Sequence, residues 1–190
     1  MRNIKLVNEE LDLELDLNIK DNWNDITLED YFKVIDLDPT QNEDKYLIDM
    51  ISILSGCKVE DLMDIPAIEM EKLTDVFNIF GNLDFPLVDH LEIDGDLYVC
   101  KKNMTNITNG EVIMIKNIQK DSKTTKDIYL GILSVLIRPG YIKDDNGVNR
   151  YIQHRLDIDE LESRKELFLK KLKVDIAVPI VQAFTNGTKK

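Results

Sequence analysis

The sequence predicts an α+β fold: a mainly helical core with an N-terminal β-hairpin and a second, central β-hairpin. Three stretches carry that prediction. Leu11, Leu13, Leu15, Leu17 and Ile19 alternate with Asp12, Glu14, Asp16 and Asn18, and strict period two places the aliphatics on one face of a strand and the acids on the other. From Ile128 to Ile137 only Gly131 and Ser134 are not large and apolar. A helix with no face to offer water belongs at the centre of a core. Asp94-Gly95-Asp96 separates two β-prone runs, His90–Ile93 and Leu97–Cys100, and an Asp-Gly pair supplies the positive φ that a type I′ hairpin turn needs. The 190 residues are expected to form a single domain, acidic over 1–100 and basic over 101–190.

Taken in order, Asn3–Val7 pairs with the alternating segment across Asn8-Glu9-Glu10. The acids at 12, 14 and 16 lack the central glycine and bidentate glutamate of a calcium loop, and are read as a solvated or partner-facing edge. A polar joint follows, with the one tryptophan, Trp23. Thr27 caps a helix over 28–37, and Asp30 three residues on suits a capping box. A second helix runs from about Asn42 to Leu54, stopped by Ser55-Gly56; Val59–Met63 is a short turn; Ile65-Pro66 opens a third helix to about Phe80. Beyond the central hairpin, Thr108 or Asn109 caps a helix over about 110–120, and the apolar central helix comes next. Arg138-Pro139-Gly140 is expected to stop it, since proline has no amide to donate to the next turn. Asp144–Gly147 is an exposed turn. Asp157 or Asp159 opens an amphipathic helix to about Lys173, and a last helix, about Val174–Phe184, contains Pro179.

Residues 1–100 hold 25 acidic and 7 basic side chains, and 101–190 hold 11 and 17, so net charges of −18 and +6 sit within a total of −12. Two arrangements answer such a split. The halves neutralise each other within one molecule, or an acidic surface on one copy meets a basic surface on the next, a head-to-tail contact that closes into a ring or runs on as a stack. The acidity argues against sequence-reading DNA binding, and basic side chains near the C-terminus interleave with Glu160, Glu162 and Glu166. No apolar run is long enough to span a membrane, and Met1–Glu10 shows no secretion signal.

Cys57 and Cys100 read as reduced, buried thiols, and His90 and His154 stand apart from them and from each other. No phosphate-cradling glycine loop and no nucleophile elbow occurs. The expectation is a non-enzymatic protein without metal or cofactor, working through three contact surfaces. These are the acidic strand at Asp12, Glu14 and Asp16, the joint around Trp23, and the basic stripe of Arg164, Lys170 and Lys171.

In order along the chain, several segments resemble small structural and assembly proteins of tailed bacteriophages, including those of crAss-like phages of Bacteroides-type hosts. They are Trp23–Tyr31, Ile51–Leu62, the hairpin Leu91–Val99 leading to Thr108–Ile118, and Leu136–Tyr141 followed by Tyr151, Arg164, Phe168 and Ala177-Val178-Pro179. The Leu54-Ser55-Gly56 piece is also similar to tail assembly chaperones. The resemblance implies a virion protein at the portal–tail region, a head–tail connector, ring or packaged cargo protein, oligomeric and in contact with portal, ring or tail proteins. It would be found in the virion, and in the host cytoplasm during assembly. The alternative it implies is a tail assembly chaperone absent from the mature particle. The family brings no catalytic residues to this chain.

Overall fold

The computed structural model describes residues 1–73, 85–102 and 104–186. Its fold is α+β, and the chain divides into two compact units, 1–83 and 84–190. The first unit holds 20 acidic and 7 basic side chains and the second 16 and 17. The charge imbalance is therefore almost wholly a property of the first.

Unit 1 opens with β1 (Arg2–Asn8) and β2 (Leu13–Ile19), antiparallel with Ile4 opposite Leu17 and Leu6 opposite Leu15. Leu11 is not part of the strand. The Asn8 side chain accepts from the amides of Glu10 and Leu11 at 3.1 and 3.2 Å, which turns the chain early and leaves Leu11 60% exposed in the loop. Next come α1 (Leu28–Ile35), α2 (Glu43–Ser55), the single turn α3 (Val59–Met63) and α4 (Ala67–Met70). Thr27 and Asp30 form the expected capping box on α1. The third helix expected to reach Phe80 is only four residues long before a tight turn over 71–73; its remainder lies outside the described residues. Leu6, Leu17, Ile19, Ile26, Leu28, Ile51, Leu54 and Leu62 make the core, none more than 3% exposed.

Unit 2 is a four-stranded antiparallel sheet with helices. Its strands are β3 (His90–Ile93), β4 (Asp96–Cys100), β5 (Ile137–Asp145) and β6 (Val148–Gln153), adjacent in that order. The helices are α5 (Asn109–Asp121), α6 (Thr125–Leu136), α7 (Leu161–Lys171) and α8 (Val174–Asn186). Every residue of α6 from Leu130 to Leu136 is buried, as its all-round apolar sequence requires, and α6 packs against α5, α7 and α8. Asp94-Gly95 and Asn146-Gly147 turn the two hairpins with φ of 53° and 91°, and 58° and 84°.

The exit from α6 corrects the sequence reading. Arg138-Pro139-Gly140 does not form a cap; the chain passes from helix into β5 at Ile137, and Pro139 sits in the sheet opposite Tyr98 with its carbonyl accepting from the His154 amide at 2.9 Å. Gly140 is required by proximity. A Cβ there would fall on the Ile152 carbonyl and 2.5 Å from Val99 Cγ2. Gly140→Ala is therefore expected to cost about 1–3 kcal/mol through a shifted strand pair. Gly131→Ala, which meets only the Ile118 side chain, at 2.7 Å, is expected to cost less. Urea midpoints for both variants check the order, and a neutral Gly140→Ala would contradict the packing argument.

Only Ile137–Pro139 of β5 pair with β4; beyond them β5 and β6 pair with each other as a two-stranded arm, whose Tyr151 stacks on His90 of β3. Tyr141, Ile142 and Val148 on it are 50–61% exposed.

Candidate functional site

The most concentrated chemistry in unit 2 is a buried ion cluster. Glu111, at the third position of α5, completes a capping box with Thr108 and accepts the Thr108 amide at 2.7 Å. The same carboxylate pairs with Lys101 Nζ at 2.7 Å and, through its other oxygen, with Arg138 Nη2. Gln153 accepts from Arg138 at 2.5 Å and donates to the carbonyls of Val99 and Leu136 at 2.7 and 2.8 Å. One carboxylate and one amide thus join α5, β4, β5 and β6. Burial pushes the Glu111 carboxyl up, but Lys101, the Thr108 amide and Arg138 outweigh it and hold the acid below the ordinary glutamate range.

Beside this cluster lies a recess of about 570 Å³, whose lining includes Asp89, Cys100, Lys101, Lys102, Arg150 and Tyr151. Its cations already have carboxylates: Lys102 with Asp89 at 2.6 Å, Arg150 with Asp145 at 3.2 Å, and Lys101 with Glu111. His90 stacks on Tyr151 with ring centroids 3.8 Å apart. Burial pushes the Cys100 thiol up to about 12, so at neutral pH it is a thiol and a poor nucleophile. The recess is a polar concavity whose lysines and arginine are each already paired with a carboxylate.

Unit 1 offers a different surface. A groove of about 430 Å³ runs between α2 and the α3–α4 region, with Leu47, Ile48, Leu62, Ile65 and Met70 among its lining and Glu43, Asp44 and Glu71 at exposed positions. Met63, also on the groove, is 69% exposed, and Ile68 on α4 is 67% exposed. Exposed Met63 thus sits on an apolar furrow with carboxylates at its edge, and Ile68 lies outside it, beside Val7–Glu10.

The residues singled out in the sequence fall in distinct settings. Asp12 stands in the β1–β2 loop with φ 50°, while Glu14 and Asp16 lie on the solvent face of β2. Glu14 pairs with Lys5 at 2.7 Å, and Asp16 lies across from Lys5 in the register. The acids are exposed but do not form one continuous unanswered stripe. Trp23 is 8% exposed and meets the Tyr31 ring edge-on, with centroids 6.1 Å apart, so the indole belongs to the unit 1 core. Arg164 is 4% exposed; it donates to the carbonyls of Ser134 and Asp157 at 3.2 and 2.9 Å and pairs with Glu160 at 2.6 Å. It ties α7 to α6 and is separated from the exposed Lys170 and Lys171, the latter 2.9 Å from Asp94.

Two features escaped the sequence reading. Thr108 was visible as a cap, but Glu111 was not, either as its capping-box partner or as the hub of an ion cluster. The outer face of α5 carries Ile113, 60% exposed, with Lys116, Asn117 and Lys120. Neither Lys116, Lys120 nor Lys123 takes part in an ion pair among the described residues. The i, i+3, i+4, i+7 spacing of 113, 116, 117 and 120 was the available signal. No protein-family model matches the chain, and neither a curated protein nor a solved structure does.

Proposed function

We propose that this chain is a non-enzymatic structural protein of a tailed-phage particle, a connector, ring or cargo protein at the portal–tail region, present in several copies and acting through protein–protein contacts. The observation that carries the multi-copy part is the pairing of opposites on different surfaces. Unit 1 presents an apolar groove edged by carboxylates, and unit 2 presents a helix face around exposed Ile113 whose lysines have no ion-pair partner among the described residues. Surfaces that differ but complement each other join copies head to tail. The phage context rests on the sequence resemblance.

A second reading, a tail assembly chaperone, is favoured by the location of the groove. Leu62 lines it, and Leu62 ends the Ile51–Leu62 segment that contains the Leu54-Ser55-Gly56 piece similar to those chaperones. Quantitative peptide mass spectrometry on purified particles of the source phage separates the two. Stoichiometric presence at a fixed multiple is the expected result. Absence from particles together with abundance in infected cells would replace the connector reading with the chaperone one.

A further inference from the structure

We infer that the groove of unit 1 receives helix α5 of a second copy of this chain. The inference rests on the multi-copy reading above and names its contact. The groove has an apolar floor, including Leu47, Ile48 and Met70, with Met63 exposed on it and Glu43 and Asp44 at one end, on the first turn of α2. An occupant must bring an apolar anchor and positive charge within one helical turn of it.

Among the described residues of unit 2, the exposed large apolar side chains are Ile113, Tyr141, Ile142, Val148 and Ile158, and of these only Ile113 lies on a helix. It shares its face with Lys116 and Lys120, at i+3 and i+7. Lysine stems are themselves apolar for four carbons, so they extend the anchor while the ammonium groups reach outward to carboxylates. The competing basic surfaces fit less well. On α7, Lys165 and Lys171 already have acidic partners, and on the β5–β6 arm Arg150 is paired with Asp145. The arrangement is the familiar one of an amphipathic helix laid in a groove. Each copy carries both halves of the contact, so association propagates from copy to copy until it closes or extends.

The test is sedimentation of the full chain. Wild type is expected to associate at low salt and to dissociate as ionic strength rises to about 0.5 M. Ile113→Glu and Met63→Glu change exposed side chains, so both variants should fold as judged by circular dichroism and melting. Each should weaken self-association by at least about tenfold. Mixing the two variants is expected to restore a single contact, because the first keeps an intact groove and the second an intact helix. The mixture should then form a one-to-one dimer and nothing larger.

A wild-type chain that stays monomeric at about 100 μM overturns the inference, as does undiminished association of either variant, or a mixture that yields no dimer. The outcomes separate from those of the functional reading. A chain found in particles whose variants associate normally keeps the virion reading and loses this contact. Restored dimers from a chain absent from particles keep the contact and lose the virion reading.

Discussion

Glu111→Ala is expected to destabilise unit 2 by about 3–5 kcal/mol, because it leaves the buried Arg138 and the half-buried Lys101 without their acid. The Glu111 and Arg138 side chains are 1% and 6% exposed and Lys101 14%. Water therefore replaces little of what the carboxylate provides. Glu111 also fills the capping position of α5, so the same substitution removes the acceptor for the Thr108 amide. Glu111→Gln keeps the shape and one acceptor oxygen but not the charge, and should fall between alanine and wild type. The pH dependence has a definite sign. The folded carboxyl is held below its ordinary range, so its contribution is complete above the unfolded-state pKa of about 4.3 and is lost as pH falls through the lower folded value. Asp30 in unit 1 is shifted the same way: burial raises it, but Lys20 and Thr27 lower it further. Urea denaturation from neutral pH to about pH 3 checks both statements. A Glu111→Ala cost under about 1 kcal/mol would show that the cluster is solvated rather than buried.

What the sequence revealed, and what it concealed, follows the range of the interaction concerned. The Thr27–Asp30 capping box and the Thr108 cap were legible because each closes within one helical turn, whereas Glu111 as the partner of Thr108 was not read. The Asp94-Gly95 turn was legible because its backbone demand is local. The partners of Glu111 were not, since Lys101 and Arg138 lie 10 and 27 residues away and meet it only once the sheet has formed. Arg138-Pro139-Gly140 misled for the same reason. Local rules read a helix stop there, whereas pairing with β4 and β6 makes it a strand in which glycine admits the Ile152 carbonyl. Arg164 is a different case. Its charge suggested a solvated stripe, but its spacing placed it between Leu161 and Phe168, on the side of α7 that is buried. In that conflict position outweighed residue type, because a guanidinium able to bond two carbonyls and a carboxylate can be buried at tolerable cost. The candidate contact surfaces were the least legible part. An exposed Ile113 or Met63 looks like any other apolar residue until the fold shows that nothing covers it.

Phe168→Ala should approach the cost of losing Glu111, again about 3–5 kcal/mol, because it empties a large and fully buried position. Phe168 lies on α7, and its ring meets Tyr98 of β4 edge-on, with centroids 5.8 Å apart and planes 74° from each other. The aromatic pair accounts for about 0.5–1.5 kcal/mol of that loss and the vacated volume for the rest. Phe168→Leu keeps most of the apolar bulk and should cost clearly less than alanine. Combining it with Tyr98→Leu in a double-mutant cycle isolates the ring contact; a coupling near zero would mean the two rings touch without contributing. Arg164 stands four residues earlier on the same buried side of α7 and bonds the Ser134 carbonyl of α6. A cavity at 168 lets that side of the helix shift, and the Arg164 bonds depend on its position. Losses at 164 and 168 should therefore fail to add, with the double variant less destabilised than the sum of the singles. Strict additivity would show instead that the Arg164 bonds hold without the packing beneath them.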